Sequence, residues 1–304
     1  MNFDLVRNLA SKNRLFRLSI SPLINLRNYW INRNVHIQNR LIHNMIDLFA
    51  DYPLIKVEEF CGNFIMDTHS DIFKNIICEK HYEPTLAALC KKYIDPDKDC
   101  IDIGANVGFY SVLFAKTVRN GKVFSVEPTR NALEFLYKNL DENGVRDKVF
   151  VFEGVVSDKS GFAEIKTIKG REEYSSIGSL KHPSVAGMKF DRIEVLSITL
   201  NEFIRKNSIK PGFIKIDVEG AESKVIEGSL EVLTDCRPVI LCELSDYLLR
   251  KNGSTAKRVI SMIKKLGYDV FDPFDPGIEP GWKKFGDIIC FPVEMKIHFN
   301  SEKK

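Results

Sequence analysis

Residues 100–110, Cys-Ile-Asp-Ile-Gly-Ala-Asn-Val-Gly-Phe-Tyr, constrain this chain more than any other stretch. A short apolar strand ends in a tight loop with two glycines, and an apolar helical stretch, Ser111 to Val118, follows at once. A second short strand, Val123 to Val126, ends in Glu127, nineteen residues after Gly108. A strand, a glycine loop, a helix and a strand ending in an acid is how α/β proteins hold an adenosine-bearing ligand. Gly104 and Gly108 admit a close backbone approach. Glu127 is placed to accept hydrogen bonds from both ribose hydroxyls.

The loop also bears on which ligand. A dinucleotide site uses G-x-G-x-x-G, with a helix N-terminus aimed at a pyrophosphate. Here the pattern is D-x-G-x-N-x-G, from Asp102 to Gly108. An acid at the end of the first strand repels phosphate and suits a cationic, amine-bearing ligand. S-adenosylmethionine has an amine, a sulfonium and no phosphate.

With 304 residues the chain is long enough for one large domain and an extension. A net charge of +3 is too weak to argue for nucleic acid. Seven scattered cysteines contain no C-x-x-C pair, which reads as reduced thiols rather than disulfides or a zinc site. The six histidines show no metal-ligand spacing. No apolar run approaches the roughly 20 residues of a membrane span, so a cytoplasmic location is expected.

Residues 1–53 read as a basic helical extension, and 54–304 as the main domain. Before Asp47 there are seven Arg or Lys residues against one acid, Asp4. Leu5, Leu9 and Phe16, then Leu41, Met45 and Leu48, fall near helical spacing, with a break around Ser21-Pro22. Packing on the main domain with a solvated basic face is the plain expectation. Contact with an anionic membrane surface is the sharper one.

Residues 54–78 read as short strands with a turn at Gly62-Asn63, and Glu83 to Tyr93 as a helix with Pro84 in its first turn. Core strands are expected at 100–103, 122–126, 149–153, 213–217, 238–243, 268–271 and 287–291. Helices are expected at about 108–118, 129–142, 199–207, 220–233 and 254–266. Polar, strand-like pieces between 162 and 196 interrupt this rhythm. The alternation implies a mostly parallel sheet covered by helices, with an antiparallel last strand. Its ligand belongs outside the carboxyl ends of the strands. Acceptor specificity is expected from the irregular segments 54–83, 167–192 and 272–285.

A second constellation is Phe-Ile-Lys-Ile-Asp-Val-Glu-Gly-Ala-Glu at 213–222. Lys215 lies in a strand buried on both faces, where a lone ammonium is costly. Strand alternation points Lys215 and Asp217 the same way. Glu243 ends the next strand on the same edge of the sheet. Glu219 and Glu222 also suit the first turn of the following helix.

These segments together resemble the FkbM family of S-adenosylmethionine-dependent methyltransferases. The resemblance rests on D-I-G-A-N-V-G-F-Y-S, V-E-P, G-V-V-S-D-K-S-G at 154–161, F-I-K-I-D-V-E-G-A-E and P-V-I-L-C-E. It runs from about Tyr82 to residue 270 or beyond. It implies the Rossmann-like, seven-stranded class I methyltransferase fold. It also implies that Asp102, Gly104, Ala105, Asn106 and Gly108 hold the amino-acid part of S-adenosyl-L-methionine. Glu127 would hold the ribose, and the Val155–Ser157 turn would lie by the adenine. Tyr82-Glu83 resembles the family's aromatic-acid pair, which adds Glu83 to the cofactor residues. Asn201 departs from the family, whose members often have Asp there.

Characterised members methylate hydroxyls on polyketides or sugars, so a sugar, glycan or other small-molecule acceptor is implied. A carboxylate at the strand ends would take the hydroxyl proton. Asp217 is the leading candidate, with Lys215 orienting it and Glu243 second. No sequence feature demands a divalent metal. Methylation of a nucleic acid or protein is the rival enzymatic reading. Enzymes that methylate base amines commonly carry Asn or Asp followed by Pro-Pro-aromatic after the fourth strand, where this chain has Asp-Val-Glu-Gly. The non-catalytic alternative is a nucleoside-binding partner of another enzyme.

Overall fold

The structure, a computed structural model, describes residues 53–167, 176–177, 190–275 and 285–296. The basic extension at 1–50 lies outside the described residues, as do most of 167–192 and much of 272–285.

The described residues open with an antiparallel hairpin of β1 (Leu54–Val57) and β2 (Gly62–Ile65). Helices α1 (Asp71–Glu79) and α2 (Pro84–Tyr93) follow, then β3 (Asp99–Ile103), α3 (Phe109–Thr117), β4 (Val123–Val126), α4 (Arg130–Glu142) and β5 (Val149–Phe152). Strands β6 (Gly154–Val156), β7 (Gly161–Thr167), β8 (Ser176–Ile177) and β9 (Asp191–Ile198) form a separate four-stranded sheet in the order β6-β9-β7-β8. The alternation then resumes with α5 (Leu200–Asn207), β10 (Pro211–Ile216), α6 (Glu222–Glu227), α7 (Leu230–Asp235), β11 (Val239–Ser245), α8 (Asp246–Lys251) and α9 (Ala256–Lys265). Strands β12 (Tyr268–Phe271) and β13 (Phe285–Pro292) complete it.

The main sheet has seven strands in the order β12-β13-β11-β10-β3-β4-β5. Strands β11, β10, β3, β4 and β5 are parallel, and β13 runs antiparallel between β11 and β12. The expected antiparallel last strand is therefore present. From β3 the chain first builds outward through β4 and β5, then returns to add β10 on the other side. Strand order reverses between β3 and β10, the point at which open α/β sheets bind their ligands.

One face of this sheet is wholly apolar. Ile101, Ile103, Ile214, Ile216 and Ile240 pack there against Val225, Ile226, Leu233, Val259 and Ile263. Each such side chain contributes about 1.5–3 kcal/mol on burial. The opposite face carries Asp102 and Lys215, which are register partners across β3 and β10. Helix α3 covers that face, with Phe114 edge-on to Phe213 at 5.5 Å.

The β1–β2 hairpin is tied down beside the site. Phe64 lies 4.3 Å from Phe109, and Phe60 lies 5.0 Å from Tyr110, ring centre to ring centre. Asn139 on α4 pairs with Ile65 through both its N–H and its carbonyl, as Asn143 does with Asn63.

Three local expectations need correction. Residues 71–79 are helical, not extended: Ser70 Oγ caps the helix by accepting from Phe73 N–H at 3.1 Å. The helix expected over 220–233 is two helices, broken at Gly228-Ser229. A Cβ on Gly228 would lie 2.1 Å from Ser157 O, so the close approach of the turn after β6 requires glycine there. Helix α8 had not been expected, and Ser245 caps it. No described helix is long and apolar enough to cross a membrane.

Candidate functional site

The loop after β3 is held open by positive φ angles at Gly104 (85°), Asn106 (49°) and Gly108 (94°). The N–H groups of Gly104 and Ala105 both donate to Val126 O at 3.0 Å, which fixes the loop to the end of β4. A Cβ on Gly104 would lie 1.8 Å from Asp217 O. The loops after β3 and β10 are thus in backbone contact at the reversal point.

Glu127 is buried at the end of β4. Its Oε2 accepts from Asn106 N–H at 2.9 Å, and its Oε1 accepts from Thr129 N–H at 2.9 Å and Thr129 Oγ at 2.6 Å. Burial raises its pKa, and these three bonds oppose the rise by favouring the charged form. An ionised carboxylate has roughly four lone-pair sites. The expected grip on both ribose hydroxyls has to accommodate three bonds already made. The turn expected by the adenine lies on the same edge. Glu127 N–H donates to Phe152 O, just before β6, and Val155 and Ser157 are buried beyond it.

Asp102 is fully buried. Its Oδ2 accepts from Ser111 Oγ at 2.7 Å, and Ser111 Oγ also bonds Ser125 Oγ at 2.7 Å. Its Oδ1 has no hydrogen-bond partner among the described residues. Burial pushes its pKa up, and Lys215 is the main opposing influence.

Lys215 is 7% exposed. Its Nζ donates to Asp217 Oδ2 at 2.9 Å and stands 4.5 Å from the ring centre of Tyr110. Burial alone favours the neutral amine, but Asp217, Asp102 and Glu83 outweigh it and hold the ammonium charged. The expected pairing of Lys215 with Asp217 is therefore present.

Glu243 faces Asp287 across the antiparallel β11–β13 pair. Burial, then Asp217 and Asp287, push the Glu243 carboxyl well above its ordinary range. Burial, then Glu83 and Asp217, push Asp287 up to about 7. Sequence reasoning missed Asp287. Its signal was an acid at the start of an antiparallel strand, because that start lies at the carboxyl edge of the parallel ones.

Glu83 precedes α2 with a left-handed φ of 46° and makes no side-chain cap. Its Oε2 accepts from Tyr110 Oη at 2.5 Å. Its pKa is raised by burial and lowered chiefly by Lys215, so the structure groups it with Lys215 and Asp217. The structure brings Tyr110, also missed from the sequence, between them.

Two other expectations resolve structurally. Glu222 Oε1 accepts from Gly220 N–H at 2.9 Å, Oε2 has no partner among the described residues, and burial pushes the group up to about 7. Asn201 Oδ1 accepts from Val232 N–H at 3.2 Å and so supports the start of α7. Among the described residues no group of three or more His, Cys, Asp or Glu side chains is arranged to hold a metal.

A mostly parallel seven-stranded sheet with one inserted antiparallel strand, and a glycine loop at its reversal point, define a methyltransferase of the class I fold. The profile described as Methyltransferase FkbM domain matches residues 102–270. This chain belongs to the FkbM methyltransferase family. It is similar to the 2-O-methyltransferase NoeI of Sinorhizobium fredii (strain NBRC 101917 / NGR234), with 27% identity over 204 residues, 64% of this chain and 79% of that protein. It is also similar to the solved methyltransferase FkbM from Methylobacillus flagellatus KT, with 14% identity and a TM-score of 0.43. That match covers 65% of this chain and 44% of the Methylobacillus one, so the chain spans less than half of that structure's length. Fibrillarin from Aeropyrum pernix, solved with S-adenosyl-L-methionine bound, is similar at 13% identity and a TM-score of 0.37, covering 68% of this chain and 73% of fibrillarin.

Proposed function

We propose that this chain is an S-adenosylmethionine-dependent O-methyltransferase acting on a hydroxyl of a sugar, glycan or other small molecule. The observation that carries the donor is an imbalance of charge. Among the described residues, Glu83, Asp102, Asp217, Glu243 and Asp287 gather at one edge of the sheet around a single ammonium, Lys215. Buried and partly buried carboxylates in such excess are costly without a counter-charge. A sulfonium and an amino group supply positive charge, and a phosphate would add to the repulsion. The unpartnered Asp102 Oδ1 and the left-handed loop fit the same ligand. Asp102, Gly104, Ala105, Asn106, Gly108 and Glu83 would hold its amino-acid part. Glu127 would hold the ribose, with Val155 and Ser157 near the adenine.

S-adenosylmethionine supplies an electron-poor methyl carbon. The residues of this chain then have two tasks. They hold an acceptor oxygen in line with that carbon, where orientation lowers the barrier. They also receive the hydroxyl proton, a contribution of typically 10²–10⁴-fold. Asp217, steadied by Lys215, is the proposed base, and Glu243 is the second candidate. The NoeI relative's description as a 2-O-methyltransferase supports an oxygen acceptor.

The deciding experiment offers isotope-labelled S-adenosylmethionine with mono- and oligosaccharides, RNA and protein as acceptors. Label entering a sugar as an alkali-stable methyl ether supports the reading. Label entering only RNA or protein, or calorimetry showing NAD bound in preference to S-adenosylhomocysteine, overturns it. For residues 1–50 the proposal is reversible contact with an anionic membrane surface, resting on their seven basic residues against one acid before Asp47. Sedimentation with anionic and neutral vesicles at low salt tests it. Equal pelleting would remove it.

A further inference from the structure

Tyr110 touches both halves of the site, and the proposed reaction assigns it nothing. It lies two residues past Gly108 in the first turn of α3 and is 5% exposed. Its hydroxyl donates to Glu83 Oε2 at 2.5 Å. Its ring centre lies 4.5 Å from Lys215 Nζ, and Lys215 holds Asp217 at 2.9 Å. One rigid side chain, carried on the helix that the glycine loop opens, therefore meets the acid ahead of α2 and the ammonium of β10.

The arrangement does not pay for itself as packing. Glu83 has a left-handed backbone and its side chain makes no cap to α2. Its charge is partly buried and is opposed by Asp217. Apolar residues of similar volume would suit the neighbouring rings of Phe60 and Phe109 better, and the Tyr82 hydroxyl is a second group that bonds the Glu83 carboxylate. A hydroxyl donating to a carboxylate is a strong, directional bond. It fixes where the charge points, which a core does not need and a ligand does.

We propose that Tyr110 is a positioning residue. Its hydroxyl sets the Glu83 carboxylate to meet the amino group of the methyl donor, and its ring keeps the Lys215 ammonium turned to Asp217. This rests on the donor reading above. Donor binding and the Lys215–Asp217 pair then share one side chain.

Calorimetry of the full chain with S-adenosylhomocysteine, which keeps the amino-acid end of the donor, provides the test. Wild type, Tyr110→Phe, Glu83→Gln and the double variant are compared. Tyr110→Phe retains the ring over Lys215 and removes only the hydroxyl. It should weaken binding roughly 10-fold, as loss of a hydrogen bond to a charged group does. The double variant should bind no worse than Glu83→Gln, because Tyr110 acts through Glu83. Equal affinity in Tyr110→Phe, or losses that simply add, would overturn the inference while leaving the donor reading intact. Should Tyr110→Phe not fold, Glu83→Gln decides: unchanged affinity there overturns it. Absence of binding by the wild type overturns the donor reading first, and this inference with it.

Discussion

Glu243 and Asp287 stand directly opposite each other across β11 and β13, on the edge of the sheet where Asp217 follows β10. Opposed like charges in a strand pair destabilise it. The groups facing this pair are Tyr82, Glu83, Glu219, Asp217 and Lys215, with one cation among them, and that cation is bonded to Asp217. The carboxyls answer by holding protons more tightly than they do in the unfolded chain.

A pH dependence of stability follows. Asp287 is raised to about 7 in the folded state, against roughly 3.9 unfolded. The folded state then binds more protons across that window, so stability falls as pH rises from about 4 through 7. Asp287→Asn removes one of the opposed charges. Allowing for solvent screening of a partly exposed group, it should gain about 1 kcal/mol at pH 8, or ~3 °C in melting temperature. The gain should vanish near pH 4. Melting curves of both proteins from pH 4 to 8 check this, and a constant offset across the range would contradict it.

Asp217 carries the proposed proton-accepting role, and it is held in place by Lys215 at 2.9 Å. Asp217→Asn keeps the shape and removes the base. Turnover should fall by about 10²-fold or more, while affinity for S-adenosylhomocysteine stays within a few-fold of wild type. Steady-state kinetics with whichever acceptor takes up label from S-adenosylmethionine, beside calorimetry, separates the two effects. Full turnover in Asp217→Asn would shift the role to Glu243.

Lys215→Met should be more damaging to the fold than Asp217→Asn. The ammonium is buried and balances Asp217, Asp102 and Glu83. Removing one partner of a buried pair costs about 3–5 kcal/mol, because the other charge is left uncompensated. Asp217 is more exposed than Lys215, so the lower end applies. Urea unfolding at pH 7 gives the number, and a loss below 1 kcal/mol would mean that water reaches these acids freely.

The parts of this fold that were legible are those with a local cause. Strands β3, β4, β10 and β11 are mostly apolar runs between turn signals, because a parallel strand is buried on both faces, and the charged residues inside them, Asp102, Lys215 and Glu243, mark the site. Lys215 and Asp217 could be paired from strand alternation alone. Helix α1 is hard to see in the sequence because Ile72, Phe73, Ile76 and Ile77 look strand-like, while its start is set by Ser70, a single capping residue. The break at Gly228 answers to Ser157, some seventy residues earlier. Asp287 and Tyr110 were not legible for the same reason. Each acquires its neighbours from strand order and helix packing, which join residues far apart in the chain.

Gly104 and Gly144 both have positive φ, 85° and 65°, but their surroundings differ. A Cβ on Gly144 meets nothing within 4 Å. Gly144→Ala should therefore lose only the backbone penalty of a left-handed alanine, about 1–2 kcal/mol. At Gly104 a Cβ would lie 1.8 Å from Asp217 O, a backbone atom that no side-chain rotation can move. Gly104→Ala must separate the loops after β3 and β10 or fail to fold. It should lose at least 2 kcal/mol more than Gly144→Ala and bind S-adenosylhomocysteine more than 10-fold more weakly, whereas Gly144→Ala binds it normally. Equal melting temperatures and equal affinities in the two variants would show that the loops after β3 and β10 do not touch in solution.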